Sequence, residues 1–312
     1  MRHIGLIEEA KLSRRSVVTI GAFDGVHRGH QSLIRQLVTH AQESDLAPVV
    51  LTFYPHPQMV LGGYQPGFYL TMPDAKAQLL GELGVELVVT HPFNDEVRQI
   101  RAADFVTDLL RYLKMASLWV GADFAMGYQR EGNVELLSRQ AQMRDFSLRV
   151  VDLMDAGGER VSSSRIRAAL AAGDVTEAAR LLGRPYRVPG QVTRGAQRGR
   201  SIGFPTANLA VEDEQAIPDR GVYAGWAMLH SDRHPAVINV GVRPTFDGTR
   251  TTVIEGHLLD FDSDLYNEML KLDFVHRLRD ERRFDGVEAL VAQIRADIAS
   301  ARILLGLQEQ LP

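Results

Sequence analysis

The strongest pattern along the chain is a run of buried-type positions, Val17, Val18, Thr19 and Ile20, which breaks at Gly21 and Gly25 and resumes with apolar residues at Leu33, Ile34 and Leu37. A short β-branched run reads as a strand and the later spacing as one face of a helix, so Val17–Ile34 is predicted as strand, glycine turn, helix. The alternation continues downstream. Pro48–Phe53, Val85–Thr90 and Ser117–Gly121 read as strands, and segments near Pro73–Leu83 and Ala102–Leu113 as helices. Four short apolar strands separated by helices predict a parallel sheet covered on both faces, a doubly wound α/β domain with ligands at the carboxyl ends of its strands.

The pattern then changes. Helical periodicity over Ser164–Ala171 and Val175–Leu182 stops at Gly183-Arg184-Pro185, glycine and proline being helix stop signals. A domain boundary is therefore expected near residue 184, dividing the chain into 1–184 and 185–312. Beyond it, Arg187–Thr193, Gly221–His230, Ala236–Val240, Val253–Phe261 and Leu270–Phe274 read as closely spaced strands. They predict an antiparallel barrel or sandwich, with Val287–Leu305 as a helix packed outside. Arg279, Arg282 and Arg283 are expected to form a solvated run paired with Asp280 and Glu281.

Composition narrows the function classes. The 312 residues are 45% hydrophobic and 24% charged, enough for two cores, and the net charge of −4 with dispersed basic residues predicts no nucleic-acid partner. There is no cysteine, which excludes disulfides, thiolate catalysis and cysteine–zinc sites. The N-terminal stretch lacks the apolar run of a signal peptide and no segment is apolar for the length of a bilayer, so a cytoplasmic protein without a membrane partner is expected. Oligomeric state is not readable.

Candidate chemistry begins at the first glycine turn. A strand feeding a helix through glycines aims backbone N–H groups and the positive end of the helix dipole at one spot, which stabilises a phosphate. His27 and His30 are expected in that turn, where imidazoles could bond phosphate oxygens. By themselves they read equally well as caps or surface residues; a zinc site lacks third and fourth ligands at suitable spacing. Near the end of this half, Ser162, Ser163, Ser164, Arg165 and Arg167 crowd the start of an alanine-rich helix. They are either a capped helix with solvated arginines or a second phosphate clamp. Lys114-Met115-Ala116-Ser117 faintly echoes an aminoacyl-tRNA synthetase signature but lacks its second lysine.

The full word GAFDGVHRGHQSLI resembles the first nucleotide-binding turn of the HxGH nucleotidylyltransferases, most closely that of the prokaryotic bifunctional riboflavin kinase/FAD synthetases. The serine–arginine cluster is similar to the S-S-T-x-I-R signature of the same enzymes, with Ser164 in place of threonine. The resemblance implies nucleotide-binding roles for Gly21, Phe23, Asp24, Gly25, Asp123, Ser162, Ser163, Ser164 and Arg167, and catalytic roles for His27, His30 and Arg165. It implies flavin contacts at Phe53, Pro55, His56 and Pro57. This chain departs from the family at Tyr54, where an acidic residue is common, and at Ala125-Met126.

The second half carries its own words. Arg198–Leu209, RGRSIGFPTANL, closely resembles the P-T-A-N motif of riboflavin kinases, and Gly221–Ala227, Ile238–Phe246 and Val253–Tyr266 follow in the family's order. The resemblance implies a phosphate loop at Gly199, Arg200 and Gly203. It also implies Mg²⁺ ligands at Thr206 and Asn208, a hydroxyl and an amide oxygen being hard donors that share one face of an extended strand. Glu255 is implied as general base. Asn267 stands where the family often has glycine.

Two independent motif sets in one order imply an enzyme that phosphorylates riboflavin to FMN in its C-terminal domain and adenylylates FMN to FAD in its N-terminal domain, using ATP and Mg²⁺. Two rivals stay open on the residues alone: a riboflavin kinase whose adenylylation half is inactive, and a flavin- or nucleotide-binding sensor.

Overall fold

A computed structural model describes residues 1–151, 160–195, 199, 202–244 and 250–307. The chain packs as two compact units, one comprising Met1–Gln65 and Tyr69–Ser163 and the other Pro66–Phe68 and Ser164–Pro312.

The first unit is built on a parallel six-stranded sheet of order β1-β4-β3-β2-β5-β8. The strands are β1 (Arg2–Ile4), β2 (Ser16–Ile20), β3 (Ala47–Tyr54), β4 (Leu87–Pro92), β5 (Met115–Gly121) and β8 (Ser147–Val151); β6 (Ala125–Met126) and β7 (Gly132–Asn133) form a separate antiparallel pair. Its helices are α1 (Arg28–Glu43), α2 (Pro57–Gly62), α3 (Pro73–Glu82), α4 (Ala102–Tyr112) and α5 (Val134–Met143). Every residue of β2 is buried. Alternate side chains leave the sheet on opposite faces. Val18, Ile20, Val49, Leu51, Leu118 and Val120 pack in one layer with Phe105, Val106 and Leu109 of α4. Val17, Val50, Val88 and Trp119 pack in the other with Leu33, Ile34 and Leu37 of α1 and Leu80 of α3. Each fully buried aliphatic side chain in these layers contributes roughly 1.5–3 kcal/mol.

The sheet has six strands where the hydrophobic pattern predicts four. The additions, β1 and β8, are edge strands with largely exposed residues, so neither shows the apolar run by which the central four are read. Because β3 and β4 extend from β2 on one side and β5 and β8 on the other, the connections reverse between β2 and β5. The loops after those two strands flank a topological switch point.

The second unit contains α6 (Ser163–Ala171, from its second residue), α7 (Val175–Leu182) and a closed antiparallel barrel of order β10-β13-β12-β11-β14-β9. The strands are β9 (Tyr186–Thr193), β10 (Ala207–Ala210), β11 (Gly221–Leu229), β12 (Asp232–Pro244), β13 (Arg250–Leu258) and β14 (Met269–Arg279). In β9 the alternation of buried and exposed positions marks one face inside the barrel and one outside. The last helix, α8 (Val287–Leu304), packs on β11, β12 and β14. Helix α7 ends as its sequence implies, with Gly183 in the left-handed conformation and its N–H on the Ala179 carbonyl.

One expectation fails here. Arg279 is not part of a solvated run. Its guanidinium makes a forked pair with Asp297 of α8, at 3.0 Å from Nε and 2.8 Å from Nη2 to Oδ2, and Asp297 is buried. Arg282 meanwhile donates to Gln293 of the same helix. A planar fork matches a carboxylate, and the pairing clamps the helix to the end of β14.

Candidate active sites

In the first unit the turn after β2 is held in an unusual backbone path. Phe23 and Val26 take positive φ values of 48° and 41°, and Gly25 takes 81°. Such angles cost a side-chain-bearing residue free energy and persist only where surroundings enforce them. The Asp24 side chain supplies part of that enforcement: it is 2% exposed, and its Oδ1 accepts from the N–H groups of Leu70 at 2.9 Å and Thr71 at 3.1 Å. The Gly25 N–H donates to the Thr71 hydroxyl at 3.0 Å, and the Ser163 hydroxyl donates to the Asp24 carbonyl at 2.9 Å. Asp24 thus braces the turn through its carboxylate.

The two histidines do not both lie in the turn. His27 is the N-cap of α1, its Nδ1 accepting from the His30 N–H at 3.4 Å, and His30 lies in the helix's first turn. With Nδ1 accepting, the ring proton of His27 sits on Nε2, a donor. The rings stack with centroids 3.6 Å apart and planes 17° from parallel, and the edge of Phe23 meets His30 at 5.1 Å. Burial pushes the His30 imidazole well below its ordinary value of 6.5, helped by charge repulsion from His27 and then Lys76. Its Nδ1 is buried with no hydrogen-bond partner among the described residues. A neutral His30 stacked on the capping His27 at a helix N-terminus forms a site that favours an anion.

Lys76 of α3 lies against this turn, 1% exposed. Its Nζ donates to the Ala22 carbonyl at 2.9 Å and to the Thr52 hydroxyl at 3.4 Å, and that hydroxyl donates to the same carbonyl at 3.0 Å. Burial pushes the ammonium from 10.5 down to about 8, against the opposing pull of Asp24. The sequence reading missed this residue, since a lone lysine in a helical pattern reads as solvated.

The other expected residues of this half are spread along the carboxyl edge of the sheet. Phe53, next to last in β3, sits in an aromatic group with His91, Phe93 and Phe105, at centroid distances of 6.4, 5.7 and 6.4 Å. Pro55 precedes His56, the N-cap of α2, whose Nδ1 accepts from the Gln58 N–H at 3.0 Å; Pro57 is that helix's first residue. Asp123, after β5, is exposed and lies 3.5 Å from Arg160. Ser162 is half-buried. In the second unit, Arg165 pairs with Glu177 at 2.7 Å. Arg167 stacks over Phe68 at 4.5 Å and reaches the Ser164 hydroxyl at 3.5 Å.

In the barrel, strand register gathers the candidate groups. Glu255 on β13 is opposite Asn208 on β10 and Asn239 on β12, and Asn208 is opposite Thr193 on β9. Directly opposed residues share a face, so these four polar side chains form a row across four strands. Asn239 was not singled out from sequence; the only signal was its place in the word INVGVRPTF. Asn208 is 9% exposed, and a Cβ at Gly195 would come within 2.3 Å of its Nδ2, so only glycine leaves room for that amide. Thr206, immediately before β10, is exposed. It lines a cavity of about 320 Å³ with Pro205, Gly256, Asp262, Ser263 and Tyr266. The Gly199 carbonyl accepts from the Phe204 N–H at 2.8 Å, and Gly203 takes φ 88°. Arg200 lies outside the described residues. Asn267 takes φ 67°, a left-handed conformation that asparagine tolerates, so the turn a glycine would make is kept.

Among the described residues no cluster of three or more His, Asp or Glu side chains forms a metal centre, and no helix is long and apolar enough to cross a membrane.

A family model described as "FAD synthetase" matches residues 9–165, and one described as "Riboflavin kinase" matches residues 182–305. The chain is 39% identical to the bifunctional riboflavin kinase/FMN adenylyltransferase of Pseudomonas fluorescens, over 93% of each chain. It is 36% identical to the enzyme of that name from Listeria monocytogenes, over 92% of this chain and 91% of the other. Among solved structures it is similar to one described as a macrolide-efflux protein from Streptococcus pneumoniae. That match has a TM-score of 0.86 and 32% identity, over 96% of this chain and 98% of that one.

Proposed function

The chain belongs to the bifunctional riboflavin kinase/FMN adenylyltransferase family, and on that premise we propose how its residues divide the work. It is a transferase with a C-terminal kinase domain that converts riboflavin and ATP to FMN and ADP, and an N-terminal adenylyltransferase domain that converts FMN and ATP to FAD and pyrophosphate. We place the functional boundary near residue 184.

For adenylyl transfer, the observation that carries the reading is the stacked His27–His30 pair at the N-terminus of α1. In the reaction an FMN phosphate oxygen attacks the α-phosphorus of ATP as the bond to pyrophosphate breaks. Charge builds on the phosphoryl oxygens. The Nε2–H of His27, a neutral His30 and the helix dipole oppose that charge without forming a covalent intermediate. Phe53 and the residues that follow it lie on the carboxyl edge of the same sheet and supply an apolar wall for the flavin ring.

For phosphorylation, Glu255 accepts the proton of the ribityl 5′-hydroxyl while its oxygen attacks the γ-phosphorus of ATP and ADP leaves. The row Thr193, Asn208, Glu255 and Asn239 orients that carboxylate. Thr206 and Asn208 fit Mg²⁺: both offer neutral oxygens, and the glycine at 195 leaves the amide of Asn208 its space. Once bound, the cation would screen the triphosphate charge. The absence of cysteine from the sequence fits a cytoplasmic setting.

Chromatography of flavins after incubation of the protein with ATP and Mg²⁺ tests the reading, with riboflavin in one tube and FMN in the other. FAD is expected in both. FMN from riboflavin with no FAD in either tube would mean that the N-terminal unit does not adenylylate.

A further inference from the structure

The turn that leads into the histidine-bearing end of α1 is strained at Phe23 and Val26, and one of the groups pinning it is a buried cation with no role in the mechanism given above. Burying an ammonium is costly, and a lysine kept in such a place normally meets an anion or bonds that offset the cost. Lys76 is instead aimed at a backbone carbonyl: Nζ donates to Ala22 at 2.9 Å, with the Thr52 hydroxyl donating to the same oxygen at 3.0 Å. Two donors on one carbonyl fix its direction. The Ala22–Phe23 peptide is trans, so its N–H points opposite to its C=O, on the side of the turn away from the lysine. An ammonium bonded to the carbonyl also polarises the peptide and strengthens that N–H as a donor.

We propose that Lys76 is a positioning residue for adenylyl transfer, setting the direction and donor strength of the Phe23 N–H toward the nucleotide's phosphates; this rests on reading the His27–His30 turn as the adenylyl-transfer site. The lysine touches no substrate. It acts through one peptide unit, and its effect depends on its charge. The groups facing it are Asp24 from the turn, His30 from α1 and the Thr52 hydroxyl from β3. Of these His30 is already neutral near pH 7 and Thr52 does not titrate, so the charge change on the alkaline side belongs to Lys76, whose pKa lies at about 8.

The test compares wild-type protein with Lys76→Met, a change of nearly constant volume. FAD formation from FMN and FMN formation from riboflavin are both measured from mildly acidic to alkaline pH. In the wild type, kcat/KM for ATP in FAD formation falls as pH rises through about 8. In Lys76→Met it is lower by about tenfold or more at pH 7 and has lost that alkaline limb, while FMN formation is unchanged. A folded Lys76→Met protein with FAD formation within about twofold of wild type, or with the limb intact, overturns the proposal. If the variant does not fold, Thr52→Val removes the second donor to the same carbonyl: a fall of about threefold in FAD formation supports the role and an unchanged rate overturns it. Wild-type protein that makes FMN but no FAD overturns the reading of the turn itself, and the role of Lys76 with it.

Discussion

His27 and His30 are three residues apart, yet the fold gives them different tasks. His27 closes the end of α1 with one nitrogen and keeps the other as a donor, whereas His30 lies under it, neutral because burial disfavours its charged form. The sequence word gave both residues but not this division, because which one caps the helix depends on where α1 begins. Lys76 was illegible for a related reason: DAKAQLL shows a charge in a helical pattern, and only the fold reveals that this position faces Ala22. Its burial also has a consequence for stability. A lysine whose pKa falls from 10.5 to about 8 on folding binds its proton more weakly in the folded state. Above the unfolded value neither state is charged and there is no cost. As pH falls from 10.5 toward 8 the unfolded chain gains the proton first, so stability declines, and below about 8 the cost is constant at about 3 kcal/mol. Urea unfolding of Lys76→Met and wild type should therefore show the variant's relative stability greatest near neutral pH and shrinking as pH approaches 10. A difference between them that does not vary with pH would contradict the buried, charge-disfavouring environment.

At the scale of elements, legibility followed burial. Strands β2 to β5 are apolar because helices cover both faces, and the pattern announces them; β8, SLRVV at an edge, is exposed at Ser147, Arg149 and Val150 and announces little. The four-residue β10 was legible only as the motif around Asn208, and the row that this residue forms with Glu255 and Asn239 exists only once the barrel's register is set. The arginines before α8 misled because alternating charges usually mean solvent, whereas Asp297, eighteen residues further on, gives Arg279 a buried partner. Removing one member of such a pair leaves the other charge without compensation. Asp297→Ala is accordingly expected to destabilise the barrel unit by about 3 kcal/mol, read as a lowered unfolding midpoint with α8 exchanging its amide hydrogens faster. A midpoint unchanged from wild type would mean that α8 does not depend on this clamp.

Over the whole molecule, the stacked His27–His30 pair and the polar row around Glu255 fall in two separately packed units, while Ser164, Arg165 and Arg167 of the first motif set pack with the barrel unit. That arrangement lets one catalytic group be removed without touching the other chemistry, which is the central claim. It is tested most directly by chromatographing the flavins made by His30→Ala and Glu255→Gln, each supplied separately with riboflavin and with FMN in the presence of ATP and Mg²⁺. The account predicts that His30→Ala accumulates FMN from riboflavin and makes no FAD from either flavin, whereas Glu255→Gln leaves riboflavin unconverted and still makes FAD from FMN. Loss of both products in either folded variant would contradict it.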